Sequence, residues 1–367
     1  MPSLSRNSYN QTPKPDPHPG ASGFLSSRIL HLHPTRRCNL ACSHCYSSSS
    51  PQQDSGVNSS LWRQVLPLLR SEGYEQVSLS GGEPLLYEGL PILVSAAADE
   101  GFRLTLISNG VLISKPTVQN SKLLKKLDGV AISFDGLAYK HDEIRGRHGV
   151  FQHACNAIKV LLDLGLPVAA AISVTNDSIE ELPDLVYYLA TLGVTAVQIR
   201  PVASAGRASQ MTHSLISSVG DQLRLYLVVK ALAAELSTHI TVHGDLAPAK
   251  ALFNQRHLYG NLLSYSTTIG HSMPILLSDL VNPLVITDTA LLKPVAFDMH
   301  SSFDIGSMEE LKSPLFFESY RRLGAFKLKE LIHEALQLIA ASTGVVDWYD
   351  NIARLSHKPF SHDHLYS

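Results

Sequence analysis

Cys38, Cys42 and Cys45 fall within one short run of the chain, RRCNLACSHCY. Thiolates are soft ligands that suit iron–sulfur clusters and zinc. Structural zinc sites normally close a shell of four protein ligands, and the remaining cysteine, Cys155, lies far along the chain. A zinc knuckle completed by His44, His33 or another histidine, or three unrelated thiols, is the competing reading of this spacing. A second loaded stretch is Ser80-Gly81-Gly82-Glu83-Pro84. Adjacent glycines let a backbone approach a ligand and leave carbonyls free to accept from an ammonium, and Glu83 adds a charge-assisted acceptor. Ile107-Ser108-Asn109-Gly110 reads as a polar strand end or simply as a turn. Ile132-Ser133-Phe134-Asp135-Gly136 follows, then His141-Asp142-Glu143-Ile144-Arg145-Gly146. The planar fork of Arg145 suits a carboxylate.

These stretches sit at the ends of expected strands. Short apolar runs predict buried parallel strands over 28–33, 76–80, 104–108, 130–134, 168–174 and 194–199. Segments of helical spacing fall between them, over 61–70, 90–99, 121–127, 151–164 and 179–192, with a sixth over 215–236. Gly73, Gly101, Gly165 and Gly193 follow four of these segments, where left-handed helix stops belong. Strand–helix repetition implies right-handed βαβ units. Six such units fall short of a full barrel, so the expected fold is α/β, a partial (β/α)6 barrel. Residues 27–245 would form this core, after a disordered arm over 1–26, and a smaller α+β extension would occupy 246–367.

With 44% hydrophobic and 17% charged residues, the chain can build a large core. Its net charge of −2 offers no footprint for nucleic acid, and no apolar stretch is long enough to span a membrane. The cysteine usage and the lack of a secretory signal predict a cytoplasmic protein. The late histidines His357, His362 and His364 read as a solvated tail.

With CNLACSHC followed one strand later by SGGEP, the chain resembles the radical S-adenosylmethionine superfamily. Within it, the likeness is to molybdopterin-precursor cyclases, sulfatase-maturing enzymes and enzymes that modify ribosomal peptides. It covers about residues 32–207. The resemblance implies one 4Fe–4S cluster on Cys38, Cys42 and Cys45, with S-adenosylmethionine on the open iron and reductive cleavage to a 5′-deoxyadenosyl radical. It implies His44 against the adenine and Gly81, Gly82, Glu83 and Pro84 at the methionine amino group. Ser108 and Asn109 match the family's third-strand Thr-Asn-Gly. Ser133 and Asp135 would lie at the ribose, Arg145 at the methionine carboxylate, and Ser173 and Asn176 nearby. The stretch from Gln198 to Arg207 would border the adenine through its backbone. An external one-electron donor such as flavodoxin or ferredoxin is also implied.

The chain departs from the pattern after residue 245. The outline of a cluster-bearing extension is echoed in Pro283–Asp288, Lys293-Pro294-Val295 and Ile305–Met308, but no cysteine follows Cys155. An auxiliary cluster of the usual kind is excluded, with Val295 standing where a ligand would. Cys155 reads as a small helix hydrophobe, with hydrogen-atom donation as its alternative role. The expected function is hydrogen abstraction from a peptide or small metabolite. The alternatives are a nucleotide- or sugar-modifying enzyme of the same superfamily, and a non-catalytic metal-binding or docking protein on a decayed barrel.

Overall fold

The computed structural model describes residues 28–114, 122–211, 215–216, 218–265 and 275–358. The expected arm over 1–26, and His362 and His364, lie outside them, and the helix expected over 121–127 falls only partly within them. Seven parallel strands run in chain order: β1 (Ile29–Leu32), β2 (Gln76–Leu79), β3 (Arg103–Ser108), β4 (Gly129–Phe134), β5 (Val168–Val174), β6 (Ala196–Pro201) and β7 (Thr241–Gly244). Helices α1 (Trp62–Ser71), α2 (Leu90–Asp99), α3 (Ala138–Arg145), α4 (Val150–Asp163), α5 (Leu182–Thr191) and α6 (Val219–Glu235) belong to the crossovers.

Their formation follows from sequence. In α1, Trp62, Val65, Leu66 and Leu69 are buried at the spacing of one helical face. Gly73, Gly101, Gly165 and Gly193 all take positive φ, as expected of helix stops. The strands divide into two faces. Leu30 and Leu32 join the main core beneath the helices, while Ala131, Ala169 and Ala196 pack separately with Ile107 and Ala171 on the other face. Register extends this inner face: Ser78 pairs with His31, Ser133 with Ala171, Gln198 with His243 and Ser173 with Arg200.

The six-unit expectation missed β7, a four-residue strand with only one buried side chain. It also gave no helix over α3, whose sequence AYKHDEIR is half charged and carries no apolar stripe. Residues after 245 bring β8 (Leu246–Pro248), β9 (Leu284–Ile286), β10 (Leu291–Pro294), β11 (Gly306–Ser307) and β12 (Val345–Asp347), with helices α7 (Ala325–Ala340) and α8 (Trp348–Ser356). Strand β9 pairs parallel with β1, and β10 and β11 continue outward from it antiparallel. The main sheet thus has ten strands in the order β11-β10-β9-β1-β2-β3-β4-β5-β6-β7 and is not closed. Strand β1, which leads into the cysteine loop, lies near its middle.

Candidate active site

The loop after β1 is held from several sides. Gly82 N–H donates to Thr35 O at 2.8 Å and Glu83 N–H to Arg37 O at 2.9 Å, laying the SGGEP turn along the approach to Cys38. A Cβ on Gly82 would stand 2.2 Å from Arg37 O, so only glycine permits this approach. Ser43 N–H donates to Ile144 O at 2.9 Å, tying the loop to α3. Cys38 and Cys42 are buried and Cys45 half-buried. Ser49 N–H donates to Cys45 Sγ at 3.3 Å, and Asn109 Nδ2 lies 3.8 Å from Cys38 Sγ. Burial, followed by the charges of Glu83 and the other two cysteines, pushes the Cys38 thiol up to about 12. Burial also raises Cys42, against the opposing pull of Arg145. These thiols stay protonated until a metal takes the proton's place.

The histidines of the zinc alternative are engaged elsewhere. His33 meets Tyr46 Oη at Nδ1 (3.1 Å) and Ser80 Oγ at Nε2 (3.2 Å), and it stacks on Phe297 at 4.9 Å. His44 Nε2 lies 2.7 Å from Asp135 Oδ1. Among the described residues, no three His, Cys, Asp or Glu side chains converge on a single-ion site.

Glu83 is fully buried. Its oxygens accept from Ser108 Oγ at 3.0 and 3.1 Å, Asn109 N–H at 3.0 Å and Leu85 N–H at 3.3 Å. Burial outweighs these bonds and lifts its carboxyl to about 7. The side chain expected at a ligand ammonium here staples the SGGEP turn to the end of β3. Asn109 Nδ2 donates to Asn39 Oδ1 at 2.8 Å, and Asn39 Nδ2 is buried without a partner among the described residues.

Asp135 is the carboxylate expected at a ribose. It is fully buried, and Arg145 donates to its Oδ2 from Nε and, at 3.2 Å, to its Oδ1 from Nη2, while His44 Nε2 meets the same Oδ1. His141 Nδ1 accepts from Asp135 N–H at 3.2 Å. Burial alone would raise this carboxyl, yet Arg145 and then His44 hold it well below the usual carboxylate range. Arg145, expected at a ligand carboxylate, and His44, expected at an adenine, thus share one internal carboxylate beside Cys42. Helix α3 makes this possible by turning Arg145 back over the end of β4.

Ser133 and Ser173 share the inner face by register, and their hydroxyls make no hydrogen bond among the described residues. Asn176 opens a short 3-10 turn just beyond β5. Cys155 sits in the helix layer, where Tyr188 reaches its sulfur, on the far side of the sheet from the inner face. Sequence reasoning gave no side-chain role to Arg207, yet it bonds three carbonyls of the cysteine loop: its N–H donates to Cys45 O at 3.0 Å, Nε to Cys42 O at 2.8 Å and Nη2 to Ser49 O at 2.8 Å. Nor did it single out the polar group on the inner face. There Asp245 accepts from Gln198 Nε2 at 2.9 Å and faces Arg200 Nε at 3.5 Å. Burial, with Arg200 adding to it, lowers His31 to about 4.

Three thiols on one loop, amide donors at two sulfurs, two nearby guanidinium groups and an open Asn39 donor fit a cluster with a free iron. They do not fit a closed zinc shell. The Radical SAM superfamily model matches residues 32–189. Those residues form a radical SAM domain. The family uses a 4Fe–4S cluster and S-adenosylmethionine, which is what this donor set suits. The sporulation killing factor maturation protein SkfB of Bacillus subtilis is 33% identical over 211 residues, 56% of this chain and 51% of that protein. The Fe-coproporphyrin III synthase of Methanosarcina barkeri is 27% identical over 232 residues, 62% of this chain and 56% of that protein. The chain spans about half the length of these relatives. Streptococcus suis SuiB bound to S-adenosylmethionine shares the fold, with a TM-score of 0.62 at 15% identity over 83% of this chain and 68% of that one. Among the described residues, no helix is long and apolar enough to cross a membrane.

Proposed function

We propose that this protein is a radical S-adenosylmethionine enzyme acting on a peptide. The observation that carries the reading is the Cys38–Cys42–Cys45 loop, locked to the SGGEP turn, with Arg145 and Arg207 placing positive charge beside Cys42. When bound, the cluster and S-adenosylmethionine supply a 5′-deoxyadenosyl radical for hydrogen abstraction. The chain's own groups bind and orient: Gly81 and Gly82 through carbonyls and Ser133 and Ser173 through hydroxyls, while Arg145, its fork held on Asp135, adds positive charge beside the site. Residues 27–245 hold the cofactors and 246–367 border the substrate. An external one-electron donor such as flavodoxin or ferredoxin supplies the electron.

Two kinds of relative offer two substrate classes, and the inner face favours a peptide. Arg200, Asp245 and, beside it, Asp347 place both signs of charge there. A porphyrin rich in carboxylates would add like charge there, whereas a peptide presents amides to both signs. The experiment is anaerobic reconstitution followed by dithionite reduction with S-adenosylmethionine. One cluster per chain and slow release of 5′-deoxyadenosine are expected. Cys38→Ala should abolish both, and Cys155→Ala should leave both in place. Tight zinc without iron–sulfur absorption, or equal loss in the two variants, would sink the proposal.

A further inference from the structure

The cysteine loop is gripped by a pair of residues just beyond β6, and their chemistry goes further than a loop contact. Gly206 takes φ +54, and a Cβ there would stand 2.2 Å from Tyr46 O and 2.5 Å from Cys45 O. The chain can lie this close to the loop only as glycine. That approach delivers Arg207, whose backbone N–H and guanidinium fork reach Cys45 O, Cys42 O and Ser49 O. These carbonyls flank the third thiol on both sides. Ser49 matters doubly, because its own N–H donates to Cys45 Sγ. Two donors in a fixed plane can hold two carbonyls at a set separation, which a single ammonium cannot do.

The position also carries charge. Three ligating thiolates bring negative charge into a largely buried loop, and Glu83 and Asp135 lie close by. Only Arg145 and Arg207 among the charges at Cys42 oppose it, and Arg145 is committed to Asp135. Net charge and hydrogen bonding around cluster sulfurs set reduction potential. We propose that Arg207, delivered by Gly206, is a positioning residue that holds the cysteine loop in ligand-ready shape and makes the bound cluster easier to reduce. This rests on the loop being a cluster loop, so the test has one arm that needs no cluster.

In the first arm, full-length metal-free wild type, R207K and R207Q are treated with iodoacetamide. Labelling of Cys38, Cys42 and Cys45 is followed by mass spectrometry against Cys155 as internal reference. Both variants should label roughly tenfold faster or more, since each loses a charge-assisted bond of the fork. Rates equal to wild type would overturn the clamp. In the second arm, reconstituted proteins are titrated electrochemically and followed by electron paramagnetic resonance. The midpoint should fall in R207Q and stay near wild type in R207K, which a purely structural contact would not produce. Equal midpoints in wild type and R207Q would overturn the electrostatic role. Should R207Q assemble no cluster, assembly restored by R207K supports that role, and assembly by neither overturns it. A wild type that takes up no cluster defeats the enzyme reading, while the labelling arm still decides the clamp.

Discussion

A carboxylate enclosed by an arginine and two histidines is stable only while all of its partners remain. Asp135→Asn would leave the Arg145 guanidinium buried beside a neutral amide, and breaking a buried pair in this way costs about 3–5 kcal/mol. Denaturant unfolding of the metal-free protein should show that loss, and a change under 1 kcal/mol would mean that the pair is dispensable. Glu83→Ala should act through the protein as well as through any ligand. It strands the Ser108 hydroxyl and the Asn109 and Leu85 amides, at about 1–3 kcal/mol for each donor left buried. Its unfolding midpoint should drop before cofactor is added, and an unchanged midpoint would argue against the staple. The residue types at these positions were legible in sequence, because each closes a strand and is polar where a core would be apolar. Their partners were not. Asp135 and Arg145 meet only because the residues between them coil into α3, and no apolar periodicity announces that helix.

The strand–helix alternation was readable because β-runs and helical faces alternate cleanly up to β6. The stops at Gly73, Gly101, Gly165 and Gly193 came with it, since positive φ leaves a residue-type signature. Strand β7 was not readable, being short and scarcely apolar. Close backbone contacts between loops were also invisible, because they depend on which loops meet rather than on any local pattern. Gly82 is the sharpest such case. Gly82→Ala would force its Cβ against Arg37 O and push the SGGEP turn off the cysteine loop. Reconstituted G82A should hold less iron than wild type and bind S-adenosylmethionine more weakly, by roughly tenfold or more if one charge-assisted contact is lost. Wild-type iron content and affinity in G82A would show that the close approach is not needed.

Across the whole molecule, one of the late residues gives the protein a pH signature. Asp347 caps α8 by accepting from Asp350 N–H at 3.1 Å. Burial, and then Asp245 and Asp350, lift its carboxyl from 3.8 to about 7. An acid raised in the folded state keeps its proton there while the unfolded chain has already lost it. This group therefore subtracts stability as pH rises from about 4 to about 7, and subtracts nothing further above that. Asp347→Asn keeps a good helix cap without the titration. The loss of stability between pH 5 and pH 8 should be smaller in D347N than in wild type, measured by urea unfolding. Parallel pH profiles would show that Asp347 ionises normally.

The position of β1 bears on how the protein is made. Leu30 pairs with Val77 on one side and with Leu284 on the other, so the strand that leads into the cysteines stays half-paired until β9 has been synthesised. At about 5–20 residues per second, the wait between these two strands on the ribosome is on the order of ten to fifty seconds. Throughout it, one row of amides and carbonyls on β1 faces water, or another nascent chain. The segment that would receive iron is made well before the strand that completes its seat, so iron delivery during translation would reach a loop whose strand is still waiting for its neighbour.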